Sequence, residues 1–460
     1  MCAPRPPPPG CRRPQGTLLH QVVETRLADF LQHRAQAGRP VPAFVVRDFN
    51  LYLRCGDISW GYATLFCADC GFDHDVAFSC KRRGYCSHCL VRRMLDRAAF
   101  LQDSVFGDVP VRHWIQCLPP PLRNLVAYNA RLTSAILTVH MKSVFRYYRR
   151  KAKKLLKLRS MKQAIPAAMT SIQRASANAA LNLHYHTLTP DGVFVRETPD
   201  GPVTFHHLPP TPAEVAAVAE DTCRRVVRLL RRCGMWTDLP GKPDDPPGTL
   251  TGRIALGKVR RRVRFFAVAS RLENDRPVKR NGAVAFDLCA TQHVRRGDRK
   301  KLLRLLRYVL SPPLTDRQLS LRADGDIDIT FKRPRNDGTS VRVVSQFKLL
   351  DILVALTPRP KLNLVRFHGG FAANAALRDL IVPRPVPCQP PPSADDDASA
   401  EDRRAWAELL KRVHPVEATR CPRCTGRLQL IALKSDRLTY RRCRDDPRWS
   451  RNRAHTYSAA

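Results

Sequence analysis

Two histidines one residue apart, His184 and His186, lie in the apolar stretch at residues 181–188. The stretch predicts a buried strand, in which alternate side chains share a face. Both imidazoles therefore point the same way, while Tyr185 points to the opposite face. Two imidazoles held side by side on rigid backbone can bind one divalent metal ion. We predict a metal site on one face of this strand, which ends at a turn over residues 190–192.

Two CxxC pairs supply a different metal chemistry. The pairs are fifteen residues apart and consist of Cys67 with Cys70 and Cys86 with Cys89. Because each CxxC turn offers two thiolates, the four cysteines are predicted to bind one tetrahedral zinc ion. Cys80 lies between the pairs and is either a substitute ligand or a buried thiol. A closed four-cysteine site leaves no open coordination position, which favours a structural role over catalysis.

A third CxxC pair, Cys421 and Cys424, lies near the carboxyl end. It is a candidate half-site for a second zinc ion, since two thiolates fill only half of a tetrahedron. Cys443 and His455 could complete it, but the sequence around them is rich in Arg and Asp and has no regular ligand spacing. We predict that they do not.

Basic residues far outnumber acidic ones, with 79 Lys and Arg against 40 Asp and Glu and a formal net charge of +39. A surplus of this size predicts a polyanionic partner, with nucleic acid ahead of an anionic membrane. Aromatic residues at 145, 147 and 148 are interleaved with a cationic run. The predicted DNA-binding cations are Arg149, Arg150, Lys151, Lys153, Lys154 and Lys157. The alternative is a solvated helix face whose aromatic residues belong to the core.

Neither a membrane span nor a secretory signal is predicted. No apolar run approaches the roughly 20 residues that a bilayer requires, and the first residues are rich in Pro and Arg. The sixteen cysteines are therefore interpreted as reduced thiols of a cytoplasmic protein. In that compartment CxxC spacing indicates metal binding rather than disulfides.

Composition and periodicity divide the chain into five segments. They are a disordered Pro- and Arg-rich start at 1–16, a zinc-binding domain at 17–105, a large domain with the histidine strand at 106–382, a linker at 383–402, and a C-terminal CxxC segment with an atypical tail at 403–460. Within them we predict a strand at residues 111–118, one long helix over residues 122–159, and irregular basic sequence at 236–264. Two further helices are predicted, one at about 298–310 with Tyr308 near its end and one at about 400–413.

Several motifs occur in an order that resembles one known family. They are the two CxxC pairs, Asn182-Leu183-His184-Tyr185-His186, Leu306-Arg307-Tyr308-Val309-Leu310, Arg366-Phe367-His368-Gly369 and Cys421-Pro422-Arg423-Cys424. Over about residues 17–432 the chain resembles the rolling-circle (HUH-type) transposases of bacterial insertion sequences. One branch of that family carries two tyrosines four residues apart. Because Arg304 stands at the earlier position here, the chain is most similar to the single-tyrosine, ISCR-like branch.

The resemblance implies an α+β fold: an HUH endonuclease-type antiparallel sheet with flanking helices, plus an N-terminal helical zinc-ribbon domain. It also implies a metal-dependent enzyme that nicks single-stranded DNA, including transposon ends, and transfers strands in the bacterial nucleoid. His184 and His186 would bind Mg²⁺ or Mn²⁺, and Tyr308 would attack a DNA phosphate to give a 5′-phosphotyrosine. Structural zinc would be held by the cysteines.

A third ligand to the catalytic ion should offer oxygen, because hard cations prefer oxygen donors. Gln173 is the first candidate and Asp287 the second. Relatives often carry a histidine in the strand at residues 286–290, where Cys289 stands here. Two other interpretations remain open: a non-catalytic zinc-ribbon DNA-binding relic of a transposase, and an HUH replication initiator or relaxase.

Overall fold

The computed structural model describes residues 14–176, 178–196, 198, 201–256, 259–270, 278–332, 334, 337–382, 421–424, 426–435 and 438–442. Most of the predicted start at 1–16 lies outside the described residues. So do the predicted linker at 383–402, the predicted helix at about 400–413, Cys443 and His455.

Helices surround the sheets and make up much of the described chain. They are α1 Leu18–Gln36, α2 Ala43–Leu53, α3 Ser87–Leu101, α4 Pro120–Ala127, α5 Ala130–Leu155, α6 Pro212–Arg232, α7 Arg299–Val309, α8 Gln346–Leu356 and α9 Arg378–Ile381. Among the described residues, no helix combines the length and the apolarity that crossing a membrane would require.

The strands form four sheets in the described part of the chain. In chain order they are β1 Gly61–Cys67, β2 Asp73–Ala77, β3 Val111–Cys117, β4 Ala164–Ile165, β5 Ala167–Ala175, β6 Leu181–Pro190, β7 Gly192–Arg196, β8 Val203–His207, β9 Trp236–Asp238, β10 Leu250–Leu256, β11 Val259–Ser270, β12 Lys279–Arg280, β13 Ala283–Cys289, β14 His293–Val294, β15 Leu319–Leu321, β16 Ile327–Thr330, β17 Val341–Val344, β18 Val365–Gly369, β19 Leu428–Ser435 and β20 Leu438–Arg442. The fold is therefore of the mixed α+β class.

A ten-stranded sheet forms the centre of the molecule. Its order is β18-β5-β6-β3-β13-β11-β10-β9, with β12 attached to β13 and β14 attached to β3. Neighbours along this order are antiparallel, except that β11 and β13 run parallel. The expectation of an antiparallel sheet is therefore corrected at that pair.

Each face of the central sheet packs against a different set of helices. Trp114, Tyr185 and Phe286 point to one face, where they share an apolar core with α4, α5 and α6. Met169 and Leu188 point to the other face, where they pack with α7 and α3. Because side chains alternate along a strand, β6 sends Tyr185 to the first core and both of its histidines to the second face.

The predicted single helix over residues 122–159 is two helices. The break falls at Tyr128 and Asn129, where the Asn129 side chain accepts a hydrogen bond of 3.0 Å from the backbone N–H of Leu132. Asn is a favoured N-cap because its side-chain oxygen satisfies an otherwise unpaired helical N–H. A new helix, α5, therefore begins at Ala130.

Residues 236–264, predicted to be irregular, contribute β9, β10 and the first half of β11. Arginines dominate this half of β11, yet Val263 and Phe265 alternate with Arg262 and Arg264. The two apolar residues are buried in the core with α6, while Arg262 is exposed. The alternation of apolar residues with arginines was the correct signal for a strand, and the high positive charge of the segment obscured it.

The amino-terminal helices share a core with a distant part of the chain. Leu19 and Val23 of α1 and Phe49 of α2 pack with Leu349 and Leu353 of α8. The buried residues of β16 and β17 belong to the same core. The zinc-binding region is therefore in direct contact with sequence beyond residue 314.

Two histidines, the buried His140 of α5 and the partly buried His368 of β18, have imidazole pKa values below the ordinary one. His140 is fully buried, and neither of its ring nitrogens has a hydrogen-bond partner among the described residues. Burial lowers the pKa of His140 to about 3, and His368 adds to this shift. Burial likewise lowers the pKa of His368 to about 4.

We expect the folded protein to lose stability as the pH falls below about 6.5, the ordinary pKa of histidine. The unfolded chain binds these protons more readily than the folded chain, so the stability is complete above that pH and declines toward the folded pKa values. His140→Leu should abolish roughly 2–3 kcal/mol of the loss between pH 7 and pH 4.5. Thermal unfolding followed by tryptophan fluorescence at both pH values measures this. His293→Leu, at an exposed position, is the control, and an equal acid sensitivity in both variants would contradict the assignment.

Candidate active site and metal centres

The histidine strand β6 lies between β5 and β3 in the central sheet. The strand register places His184 between Gln173 of β5 and Cys117 of β3. Residues directly opposite one another on paired strands share a face, so these side chains belong to one surface. Tyr185 points to the other face, as predicted, where its hydroxyl donates to the backbone oxygen of Thr133 at 3.0 Å. Both histidines are buried.

A third histidine, His113 of β3, joins the pair. Its Nε2 lies 2.9 Å from Nδ1 of His186, and the two rings stack with centroids 5.0 Å apart. Its Nδ1 lies 2.9 Å from the side-chain oxygen of Gln292, and its backbone N–H donates to the Gln292 carbonyl at 3.0 Å. Sequence reasoning predicted β3 but missed His113. The signal was a histidine at an alternate position with Ile115 and Cys117 in this strand.

These contacts allow both imidazoles of the pair to adopt the same tautomer, with the proton on Nδ1. If the Gln292 oxygen accepts from Nδ1 of His113, then Nε2 of His113 accepts from Nδ1 of His186. The Nδ1 of His184 lies 2.8 Å from its acceptor, the Asn182 carbonyl. Because each Nδ1 is the donor, each Nε2 carries a lone pair. Groups that accept a hydrogen bond from the Nδ1 of a metal-binding histidine orient its ring.

The donor set of His184 and His186 suits a divalent cation. Burial lowers the pKa of His186 well below its ordinary value, and neighbouring His184 and His113 lower it further. The neutral imidazole is the form that binds a metal ion. The two ring centroids are 4.7 Å apart, which leaves both imidazoles within reach of one ion. The residues present therefore fit the ion that the resemblance implies.

Tyr308 lies beside this pair because of apolar packing. Leu188 shares a face with His184 and His186, and it forms an apolar core with Leu305 and Leu306 of α7. The Tyr308 ring lies 5.7 Å from the His186 ring and 6.3 Å from the His113 ring, edge-on to both. The structure thus brings Tyr308 next to His184 and His186, although Tyr308 lies more than a hundred residues from this pair in sequence.

Gln173 connects the histidine surface to the tyrosine helix. Its side-chain Nε2 donates to the carbonyl oxygen of Val309 at 2.8 Å, and Val309 is the last residue of α7. Carbonyls in the last turn of a helix lack an intrahelical partner, so this amide satisfies one of them. The contact holds the end of α7 against β5, next to Tyr308.

Asp287 and Cys289 of β13 lie on the same face but farther from the pair. Asp287 is opposite Cys117, which is opposite His184, so two strand spacings, or about 10 Å, separate the backbones of Asp287 and His184. Gln173 is only one spacing away. Burial raises the pKa of Asp287, which disfavours the charged form that would bind a cation. Cys289 packs with Ile115 and Cys117.

The predicted DNA-binding cations lie on α5, except for Lys157, which follows its end, and α5 packs on the opposite face of the sheet. Arg150, Lys153, Lys154 and Lys157 are exposed there. Lys151 is instead paired with Glu214 at 2.7 Å and donates to the Pro209 carbonyl. Arg149 is half-buried and donates to the Ala164 carbonyl. Tyr147 and Tyr148 also lie on this side, and burial raises the pKa of both hydroxyls.

The cysteines form two groups that differ from the predicted one. The first group comprises Cys55, Cys80, Cys86 and Cys89, and the second comprises Cys67, Cys70, Cys421 and Cys424. In each group the sulfur atoms lie within 4.8 Å of one another. The expectation that the two amino-terminal CxxC pairs share one zinc ion is therefore corrected. Each pair lies in a different cluster.

The first cluster, called the N-cluster here, closes around the start of α3. Cys86 is the N-cap of α3 and Cys89 lies in its first turn, where the helix dipole stabilises thiolates. Cys55 follows α2, and its sulfur lies 3.7 Å from those of both Cys86 and Cys89. The Cys80 sulfur lies 3.5 Å from that of Cys89. Of the two interpretations of Cys80, the structure favours the substitute ligand.

Comparison with known proteins gives two family matches and no individual relative. A family model described as "Transposase zinc-binding domain" matches residues 22–118, and one described as "Putative transposase" matches residues 249–378. No curated protein and no solved structure shows a significant match to this chain. The first match contains the N-cluster, and the second contains Tyr308. The histidine strand lies between the two matched regions.

The two matches support an insertion-sequence transposase with a zinc-binding domain of the IS91 type. The cysteine clusters support structural zinc in that domain. A transposase acts on DNA, which agrees with the formal net charge of +39.

Proposed function

We propose that this transposase is an HUH-type enzyme of the single-tyrosine, ISCR-like branch, which nicks single-stranded DNA at transposon ends and transfers the strand through a covalent link to Tyr308. The observation that carries the proposal is the position of the Tyr308 ring, 5.7 Å from the ring of His186. A tyrosine next to two metal-competent imidazoles has the parts that phosphodiester cleavage requires: a nucleophile and a site for a cation.

In the proposed reaction the Tyr308 hydroxyl oxygen attacks a backbone phosphorus. A bond forms between that oxygen and phosphorus, and the bond from phosphorus to the 3′-oxygen breaks. The phenolic proton leaves Tyr308, and the departing 3′-oxygen takes up a proton. The product is a 5′-phosphotyrosine and a free 3′-hydroxyl. Because the link is itself a phosphodiester, a 3′-hydroxyl can reverse the step on another strand without ATP.

The side chains around Tyr308 position the reactants. His184 and His186 would hold Mg²⁺ or Mn²⁺ through their Nε2 atoms, with Nδ1 of each engaged by Asn182 and His113. When bound, the cation would polarise the scissile phosphate and stabilise its developing charge. A free tyrosine hydroxyl titrates at about pH 10 and is a weak nucleophile at neutral pH, so fixed in-line geometry is also required.

DNA contacts are proposed on both sides of the sheet. On the face opposite the histidines, the exposed cations at the end of α5 are proposed to contact the flanking DNA; they are Arg150, Lys153, Lys154 and, just after the helix, Lys157. On the histidine side, Arg260 and Arg262 of β11 are exposed and share a face with Asp287, because β11 and β13 pair in register. These contacts would hold the phosphate backbone, so binding should weaken as salt rises.

The test is a nicking assay with labelled single-stranded oligonucleotides from the ends of the element, with and without Mn²⁺. We expect a 3′-hydroxyl product and a protein–DNA adduct that survives denaturation, both dependent on the ion. Binding without cleavage would instead support the non-catalytic relic. Cleavage confined to a plasmid origin would support a replication initiator or relaxase.

Gln173 is proposed to position the tyrosine helix, and two variants separate this role from metal binding. Gln173→Ala removes both the N–H donor to Val309 and the side-chain oxygen. Gln173→Glu removes only the donor. We expect both variants to nick about 10- to 100-fold more slowly, because misplacing a reacting group by about 1 Å costs a factor of this order.

Mn²⁺ affinity, measured by calorimetry on the same variants, decides between the two roles. If Gln173 only positions α7, both variants bind Mn²⁺ as the unmodified protein does. A loss of affinity in Gln173→Ala that Gln173→Glu restores would make Gln173 the third metal ligand instead.

A further inference from the structure

We infer that the second cysteine group, Cys67, Cys70, Cys421 and Cys424, is a composite zinc site that joins the two ends of the described chain. This group is called the clasp here. The sulfur atoms of Cys67 and Cys424 are 3.5 Å apart, as are those of Cys70 and Cys421. The paired residues are separated by 357 and 351 positions in sequence. The inference concerns a structural site and does not rest on the proposed reaction.

The sulfur–sulfur distances indicate a metal ion rather than disulfides. A disulfide bond is about 2.0 Å long, so separations of 3.5 Å exclude a bond in this geometry. Four thiolates at about 2.3 Å from a tetrahedral zinc ion lie about 3.8 Å from one another. The clasp sulfurs, all within 4.8 Å of one another, approximate that arrangement. The N-cluster has the same spacing, with sulfur atoms 3.5 and 3.7 Å apart.

Backbone geometry around the clasp is that of two facing CxxC turns. The Gly71 N–H donates to the Cys67 carbonyl at 3.0 Å, and Gly71 takes a φ of +70° that closes the first turn. In the second turn, the Arg423 N–H points at the Cys421 sulfur at 3.4 Å, the kind of contact that stabilises a thiolate. Cys67 and Cys421 are almost completely buried.

The strands that lead into the two turns are joined in one sheet. β1 ends at Cys67, β19 begins just after the second turn, and the two strands pair antiparallel from Gly61 with Ser435 to Cys67 with Leu428. The sheet order is β2-β1-β19-β20, so the C-terminal strands continue a sheet that begins in the zinc-binding region. The backbone ladder and the four thiolates therefore specify the same register.

The two turns of the clasp approach each other closely. A Cβ built on Gly426 would lie 2.0 Å from the Asp69 carboxylate and 3.1 Å from the Cys424 sulfur. Arg423 of the second turn stacks on the Phe72 ring of the first, with its guanidinium 5.3 Å from the ring centroid. Neither family match extends to the second turn, since the matched regions end at residues 118 and 378.

Zinc content of the full-length, reduced protein tests the clasp. We expect two zinc ions per chain, one for each cysteine group. The double variant Cys421→Ser with Cys424→Ser should retain one, and so should Cys67→Ser with Cys70→Ser. The combination of all four substitutions should lose no further zinc, because both pairs belong to the same ion. Cys233→Ser, which changes an exposed cysteine outside both groups, is the control and should keep both ions.

Three outcomes would overturn the inference. A single zinc ion in the unmodified chain that is retained in Cys421→Ser with Cys424→Ser would leave the clasp without metal. Loss of two ions in the four-fold variant would place the two CxxC pairs on separate ions. Iron in place of zinc, measured in the same elemental analysis, would reject the metal assigned.

A second measurement tests the clasp with all of its cysteines in place. A protease site inserted within residues 383–402 of the otherwise unmodified chain allows cleavage between the two halves of the clasp. We expect the C-terminal fragment to stay bound during gel filtration while zinc is present, and to separate without any chelator when Cys421 and Cys424 are serine. Separation of the fragment from a chain that retains both zinc ions would refute the clasp.

Discussion

Tyr308→Phe should abolish the covalent protein–DNA adduct while leaving the fold and the DNA affinity intact. The substitution removes only the hydroxyl oxygen, which in the proposed reaction forms the bond to phosphorus. The ring keeps its edge-on contacts with His186 and His113. A denaturing gel of protein mixed with labelled single-stranded DNA and Mn²⁺ should show a shifted band for the unmodified protein and none for the variant.

Tyr147→Phe is the matched control for this experiment. The Tyr147 hydroxyl donates to Glu214 at 3.2 Å on the opposite side of the sheet, so its loss should leave the adduct unchanged. An adduct that persists in Tyr308→Phe would assign the nucleophile to another residue. Equal DNA affinity of all three proteins, measured by fluorescence anisotropy, shows that any loss lies in the chemical step.

The double variant His184→Ala with His186→Ala should retain Tyr308 but cut the nicking rate by about 100-fold or more. A bound cation contributes several kcal/mol of charge stabilisation in the transition state, and about 1.4 kcal/mol corresponds to a factor of ten. Mn²⁺ affinity should fall in parallel, because the two Nε2 ligands are gone. Single-turnover nicking and Mn²⁺ calorimetry measure the two effects separately.

His293→Ala, at an exposed position on β14, is the control for histidine loss. It should keep both the rate and the Mn²⁺ affinity. If the double variant nicks at the unmodified rate, the pair has no part in the reaction, and the metal role proposed for it is rejected. Zinc content should be unchanged in all of these proteins, since none of the substitutions touches a cysteine.

Local sequence pattern was sufficient for the elements that carry the candidate site. The apolar stretch at residues 181–188 predicted the strand with His184 and His186, the alternation of its side chains put both histidines on one face, and the structure has this strand as β6. Apolar residues at helical spacing predicted the Tyr308 helix at residues 298–310, and α7 spans Arg299–Val309. Both signals depend on side-chain periodicity within a few residues, which the chain expresses wherever it folds.

Contacts between residues on different strands could not be predicted from the local sequence pattern. His113 meets His186 only because β3 pairs with β6, and Gln292 meets His113 because the loop after β13 returns to β3. Gln173 was named as an oxygen ligand, but its contact with Val309 depends on where α7 packs. Strand order and helix position are set by burial of whole faces, which involves residues far apart in the chain.

The cysteines show the same division most clearly. The sequence by itself determined three CxxC pairs, because the ligand spacing within a turn is a local property. Only the tertiary structure decided which pairs share an ion: Cys86 and Cys89 meet Cys55 and Cys80, while Cys67 and Cys70 meet a turn more than 350 residues away. The physical reason is that a metal ion requires four sulfur atoms around one point in space. Pairing of β1 with β19 brings the distant turn to that point, and spacing along the chain does not specify that pairing.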